Sequence, residues 1–150
     1  MKIYLASPLF DVIQKARIQR VVNALRDAGY EVYSPVEHEV PRAWELPNWL
    51  WAQEVFKEDL RNLENADAVV TIYEGLNSDS GTAWEIGYAC AKDKPVYLIT
   101  SKPNEIHSLM VMNSVNAIYQ FDEFIQMIKR ENKIIAEYEN ITPSFFPYQS

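Results

Sequence analysis

Three carboxylates, Glu85, Asp79 and Asp59, are the residues of this chain best suited to covalent or acid–base chemistry, and the stretch around Glu85 organises the rest. A β-branched run from Val69 to Tyr73 passes into a polar loop that holds Gly75 and Gly81. The chain then re-enters an apolar segment, Thr82 to Ala91, whose only charge is Glu85. This order predicts a strand, a loop and a buried helix with one carboxylate near its start. Such a carboxylate is costly to bury unless it is paired or compensated by the helix N-terminus. Glu85 is therefore a satisfied core residue, a solvated first-turn residue or a working one, and its neighbours Ala83, Ile86, Tyr88, Ala89 and Cys90 leave little solvent face.

The chemistry open to such a group is specific. A glutamate near a helix N-terminus in a water-poor pocket can attack an electrophilic carbon. Carboxylates that share a site raise one another's pKa, so one of them can carry a proton to a leaving group at neutral pH. Together these are the parts needed to cleave a glycosidic bond with retention through a covalent glycosyl ester. Asp79 precedes Glu85 on the loop and Asp59 lies on the helix before the strand, so their convergence is inferred from topology. Each also has a plainer reading, Asp59 as a solvated helix residue and Asp79 as a loop cap.

The elements that must position these groups follow from the periodicity. Ile3 to Ala6 reads as strand one, with Ser7-Pro8 entering helix one as cap and first-turn proline. Val12, Ile13, Ala16, Val21, Val22 and Leu25 recur near the helical period, and Asp27-Ala28-Gly29 stops that helix. Tyr30 to Ser34 is strand two, and the aperiodic stretch Val36 to Pro47 is a loop; His38 within it is weak evidence for any site. Trp49 to Glu64 is helix two, with Trp49, Ala52, Val55, Phe56, Leu60 and Leu63 on one stripe, which Asp59 borders. Ala68 to Tyr73 is strand three, whose nearly continuous apolar run suits a parallel strand covered on both faces. Val96 to Thr100 is strand four, Ser101 to Val115 a loop with a short helix, Ala117 to Phe121 strand five, and Asp122 to Glu139 the last helix. The final residues, 139–150, form a tail whose Phe145, Phe146 and Tyr148 predict packing at an active site or subunit interface.

Alternating strands and helices predict an α/β fold, a doubly wound sheet of about five parallel strands with helices on both faces and right-handed crossovers. Ligands in such folds sit beyond the carboxyl ends of the strands where the strand order reverses. The loops after strands one, three and four begin near Ser7, Glu74 and Ser101, and the Glu85 stretch falls among them.

At 150 residues the expectation is a single domain, 1–150. The 21 acidic against 14 basic residues, a formal charge of −7, argue against a nucleic acid polymer as partner and for a small ligand. The single cysteine, Cys90, excludes an intrachain disulfide and reads as a small buried hydrophobe in a reducing compartment. The N-terminal apolar run is too short for a secretory signal or a membrane span, so the expected location is cytoplasmic.

Ile3-Tyr4-Leu5-Ala6, Glu58-Asp59-Leu60 and above all Asp79-Ser80-Gly81-Thr82-Ala83-Trp84-Glu85-Ile86-Gly87-Tyr88-Ala89 together resemble the nucleoside 2-deoxyribosyltransferase family, over nearly the whole chain. The resemblance implies a flavodoxin-like fold, no cofactor and no metal. It also implies exchange of the base on a 2'-deoxynucleoside, with free nucleobases as partners, and a homo-oligomer whose active sites are shared between subunits. Carried over by position, Glu85 is the nucleophile at C1', Tyr4 orients it by a hydrogen bond, and Asp59 and Asp79 meet the base and sugar hydroxyls, one of them handling the leaving nitrogen's proton. Ser7, Phe10, Gly81, Ser108, Met110 and Asn113 are the implied substrate-binding positions. The family places an Asn two residues before a Met after strand four; here Ser108 stands in that place, with Asn113 close by.

Three other readings remain. The deoxynucleoside 5'-monophosphate N-glycosidases resemble this chain in fold and glutamate, but tend to carry Ser where it has Asp79. The phosphoribohydrolase motif Gly-Gly-x-Gly-Thr-x-x-Glu is matched only in part, because Asp79-Ser80 replaces the glycine pair. A non-catalytic nucleotide sensor would use the same switch point for binding alone.

Overall fold

A computed structural model describes residues 1–8, 11–38, 45–74, 80–103 and 108–135. Asp79, Phe10, His107, Tyr138 and the tail from 139 onward lie outside the described residues. The elements are β1 (Lys2–Ala6), α1 (Val12–Asp27), β2 (Glu31–Tyr33), a short 3-10 turn (Pro35–Glu37), α2 (Asn48–Asn65), β3 (Ala68–Ile72), α3 (Ser80–Ala91), β4 (Val96–Thr100), α4 (Leu109–Ser114), β5 (Ala117–Gln120) and α5 (Phe121–Glu131).

The five strands form one all-parallel sheet in the order β2-β1-β3-β4-β5, the flavodoxin-like arrangement. The chain starts in the interior of the sheet, moves to one edge with β2 and then crosses to the other side of β1 with β3. The order therefore reverses between β1 and β3. Every residue of β3 is buried, as expected for a parallel strand with helices on both faces.

Strand alternation divides the core into two layers. Ile3 and Leu5 of β1 pack with Ile18, Val21, Val22 and Leu25 of α1 and with Phe124, Ile125 and Ile128 of α5. Tyr4 and Ala6 point to the opposite layer, with Leu63 of α2, Ile86 and Ala89 of α3, and Val111 and Met112 of α4. A half-buried ion pair from Arg17 on α1 to Glu74, just beyond β3, pins the first layer to the carboxyl end of the sheet. Glu74 also accepts from the backbone N–H and hydroxyl of Ser101 after β4.

Several expectations are corrected. Helix one is capped by Asp11, whose side chain accepts from the Gln14 N–H, and not by Ser7; Val12 and Ile13 stand 81% and 73% exposed in its first turn. Gly29 ends that region at φ 95°, a conformation that glycine adopts without strain. The segment from Phe121 is helical only to Glu131. Asn132 takes a left-handed conformation, with its N–H bonded to the Ile128 carbonyl. Beyond that cap the Ile134 N–H donates to the Tyr30 hydroxyl, and the Tyr119 hydroxyl donates to the Ile135 carbonyl. Ile134 and Ile135, assigned from sequence to the last helix, thus fold back onto the first core layer.

Helix α3 is not buried all round. Thr82, Ile86 and Ala89 face the core, whereas Trp84 and Cys90 are exposed, because only a narrow stripe of the helix meets the sheet. Among the described residues no helix is long and apolar enough to cross a membrane.

Phe124 is fully buried and meets Tyr119 edge to face at 5.3 Å. Phe124→Ala should lower the unfolding free energy by about 3–5 kcal/mol in urea titration. A loss below about 1 kcal/mol would contradict the docking of α5 described here.

Candidate active site

The second core layer opens into a cleft beside β1. Tyr4 forms its floor. Ala52, Val55, Phe56, Asp59, Leu60 and Leu63 come from α2, and Ser80, Gly81, Trp84 and Glu85 come from α3, around a volume of about 560 Å3. The α2 residues recur at helical spacing, so they are the apolar stripe visible in the sequence. That stripe is largely a cavity wall: on α2 only Leu63 is buried, and Phe56 remains 52% exposed. Phe56 and Trp84 meet edge to face at 5.8 Å across the opening, and Trp84 stacks on Tyr88 at 5.4 Å. The cleft is of the size and apolar lining typical of small-molecule sites, with a few polar groups aimed inward.

Those polar groups are Tyr4, Glu85 and Asp59. The Tyr4 hydroxyl oxygen is sealed from solvent. Its principal electrostatic partner is Glu85, which acts on it both as a charge and as an acceptor. Burial, then the Glu85 carboxylate and then Asp59 hold the Tyr4 phenol far above its ordinary pKa. Tyr4 is a proton-retaining donor facing two carboxylates.

Glu85 lies in the second turn of α3, because the helix begins at Ser80 rather than at Thr82. The helix dipole decays within the first turn, so its hold on Glu85 is weaker than the sequence suggested. Asp59 is half-buried and accepts a hydrogen bond of 3.2 Å from the Tyr33 hydroxyl. Its carboxyl is raised above the ordinary aspartate value by burial, and the charge of Glu58 adds to this. The Tyr33 hydrogen bond and His38 act the other way.

The cleft thus brings together Tyr4, Asp59, Gly81 and Glu85 among the residues singled out from sequence. Among the described residues it does not bring in Ser7, Ser108, Met110 or Asn113, and Asp79 and Phe10 lie outside the described residues. Ser7 donates to the Pro8 carbonyl, Ser108 caps α4 by accepting from the Val111 N–H, and Asn113 donates to the Leu109 carbonyl. Met110 is 80% exposed on the same short helix. Sequence reasoning missed Tyr33, which stacks on Tyr4 at 5.6 Å and on His38 at 4.4 Å. The parallel register sets Tyr4 opposite Tyr33, a neighbourhood that linear spacing does not display. Among the described residues no group of three or more His, Cys, Asp or Glu is placed to hold a metal ion.

Comparison with known proteins gives a consistent picture. The family model described as Nucleoside 2-deoxyribosyltransferase matches residues 3–124. The structure of a 2-deoxyribosyltransferase from Bacillus psychrosaccharolyticus superposes with a TM-score of 0.77 at 33% identity, covering 91% of this chain and 99% of that one. The Clostridium botulinum CMP N-glycosidase shares the fold, with a TM-score of 0.61 at 19% identity over 87% of this chain and 99% of that one. A curated sequence named Putative 2'-deoxynucleoside 5'-phosphate N-hydrolase 1, from Thermofilum pendens, is 33% identical over 97 residues, 64% of this chain and 65% of that protein. The match therefore spans less than two thirds of that relative's length.

The raised carboxyl of Asp59 carries a stability consequence. A group whose pKa is higher in the fold than in the unfolded chain contributes stability below the ordinary carboxylate value, about 4, and loses it as pH rises through the folded value. Asp59→Asn removes that loss. Its melting temperature should match the wild type near pH 3 and exceed it at pH 7 to 8, read by thermal unfolding across pH. A variant less stable than wild type at neutral pH would contradict the burial penalty assigned to this carboxylate.

Proposed function

The chain belongs to the nucleoside 2-deoxyribosyltransferase family, and from that premise we propose that it moves a 2-deoxyribosyl group between nucleobases through a covalent ester on Glu85. A Glu85 oxygen attacks C1', the C1'–N bond breaks, and the base leaves with the bonding electron pair and takes a proton from Asp59 or Asp79. A second base then attacks C1' from the vacated side, giving up its ring-nitrogen proton to the aspartate that lost one in the first step, the ester C–O bond breaks, and Glu85 is released as the carboxylate. Two inversions give net retention. Tyr4 holds its proton throughout and steers the Glu85 carboxylate. No metal or cofactor enters any step.

The observation that carries this reading is the convergence of Glu85, Tyr4 and Asp59 on one apolar-walled cleft at the β1/β3 reversal. Phe56 and Trp84 at its mouth suit a flat base, because stacking on an aromatic ring is tolerant of base identity. In this reading Ser108, Met110 and Asn113 serve the site of a second copy, which the exposure of Met110 and Leu109 on α4 supports. The reading takes the whole chain, 1–150, as one cytoplasmic domain.

A second reading, hydrolysis of a deoxynucleoside 5'-monophosphate with water as acceptor, is favoured by the name of the Thermofilum pendens relative. It uses the same nucleophile. Against it stands Asp79, a carboxylate where a phosphate would be better met by a hydroxyl.

The deciding assay is chromatographic. Purified protein is given deoxyinosine plus adenine, deoxycytidine plus adenine, or deoxycytidine 5'-monophosphate alone. Deoxyadenosine in the first two tubes is the expected result; free cytosine from the third alone would establish the hydrolase instead, and no product in any tube would leave a binding module. Glu85→Ala should cost roughly a thousandfold or more in kcat, as loss of a nucleophile does. With donor and no acceptor base, the wild-type peptide containing Glu85 should gain the mass of one deoxyribosyl unit; an unmodified peptide during turnover would sink the covalent route.

A further inference from the structure

Asp59 is held from outside the cleft. Its Oδ1 accepts from the hydroxyl of Tyr33, which belongs to the edge strand β2 and does not line the cavity. The Tyr33 ring stacks on two others, Tyr4 at 5.6 Å and 24° and His38 at 4.4 Å and 15°. Two stacks restrict the swing of the ring. Its hydroxyl is therefore fixed in direction by packing before any substrate binds, which is what a support for a reacting group must provide.

We propose that Tyr33 is a positioning residue for the glycosyl-transfer reaction, setting the direction of the Asp59 carboxyl through one hydrogen bond. The inference rests on the role given to Asp59 in the proposed function. Through its stack on Tyr4, the same ring also braces the phenol that faces Glu85, so one edge-strand tyrosine touches a member of each half of the site.

The groups that bear on Asp59 come from each neighbouring element: Tyr33 from β2, His38 from the turn beyond it, Glu58 from its own helix, and Tyr4 from β1 with Glu85 of α3 beyond it. Arg61 of α2 bears on Tyr33 itself. Donation from Tyr33 favours the charged carboxylate and opposes the burial that raises it. Taking away the hydroxyl while keeping the ring must therefore raise Asp59 further and release its orientation.

The test compares Tyr33→Phe, Asp59→Asn and the double variant in the full chain, with kcat and KM followed across pH and melting temperature as a folding control. Phe keeps both stacks and should fold normally. Tyr33→Phe should lower kcat about tenfold with KM nearly unchanged, since a misdirected catalytic group costs rate rather than binding. The pH–rate limb that vanishes in Asp59→Asn should move to higher pH in Tyr33→Phe. In the Asp59→Asn background the second substitution should change kcat less than twofold, by the logic of a closed cycle. A Tyr33→Phe enzyme with wild-type kcat and an unmoved limb, beside an impaired Asp59→Asn, would overturn the positioning role alone. The same loss from Tyr33→Phe in both backgrounds would also overturn it, by showing that the hydroxyl acts elsewhere. An unimpaired Asp59→Asn would overturn the proposed role of Asp59 together with this one.

Discussion

The interaction on which the rest of this structure depends is the standoff between a buried phenol and two carboxylates beside an apolar wall. Taking Glu85 and Asp59 partly out of water carries a desolvation cost that only nearby donors can offset. Tyr4 supplies one such donor and cannot escape, because it is a fully buried strand residue. Its phenol keeps its proton chiefly because it is buried, and also because ionising would put a third negative charge in the same small space. Asp59 is left with a carboxyl raised by burial, and the Tyr33 hydroxyl donates to it. A site that keeps such a carboxyl out of water stores a stability deficit where substrate contacts can relieve it.

The sheet order is what makes that standoff available. With β1 between β2 and β3, the segments on its two sides diverge, and helices α2 and α3 straddle the gap instead of closing over it. The helix packing is therefore deliberately incomplete on this side. Phe56 and Trp84 stay half-exposed at the mouth, whereas on the opposite layer α1 and α5 bury Ile18, Leu25, Phe124 and Ile128 completely or nearly so. One layer holds the fold together and the other holds a cavity. The ion pair from Arg17 to Glu74 couples them, because Glu74 stands at the end of β3 just before the loop that leads to α3.

The alternation of short β-branched runs with helical stripes made the five strands, their parallel sense and the reversal near β1 and β3 legible in the sequence. Glu85 and Asp59 were legible together from topology, whereas Tyr4 and Gly81 joined them only through the family motif, since the group is drawn from three separate elements. Misreadings share one cause: periodicity reports which residues are apolar, not what they face. The α2 stripe was legible as apolar, but not that Ala52 to Leu63 of it wall a cleft. Cys90 was read as buried and is exposed, because the contact face of α3 is one residue wide. Ile134 and Ile135 kept a helical spacing although Asn132 had already ended the helix, a local left-handed choice that any hydrophobic pattern passes over. Tyr33 and His38 were invisible for a different reason. Their relation to Tyr4 and Asp59 is created by strand register, and register is a property of the assembled sheet.

The distinction between transfer and hydrolysis does not reside in the groups that make the proposed ester. In the proposed mechanism both outcomes use the same attack by Glu85 and the same departing base. They divide only when the ester meets its acceptor. In an open polar site water would always be first, by concentration alone. Here the acceptor must arrive along a wall of Ala52, Val55, Phe56, Leu60 and Trp84, which offers water few partners and offers a flat heterocycle an aromatic surface. On the proposed mechanism an apolar wall would bias the second step toward a base as long as one is present, and leave water as the acceptor when none is. The outcome would then follow occupancy of the base position, and the aromatics at the mouth rather than the carboxylates would tune it.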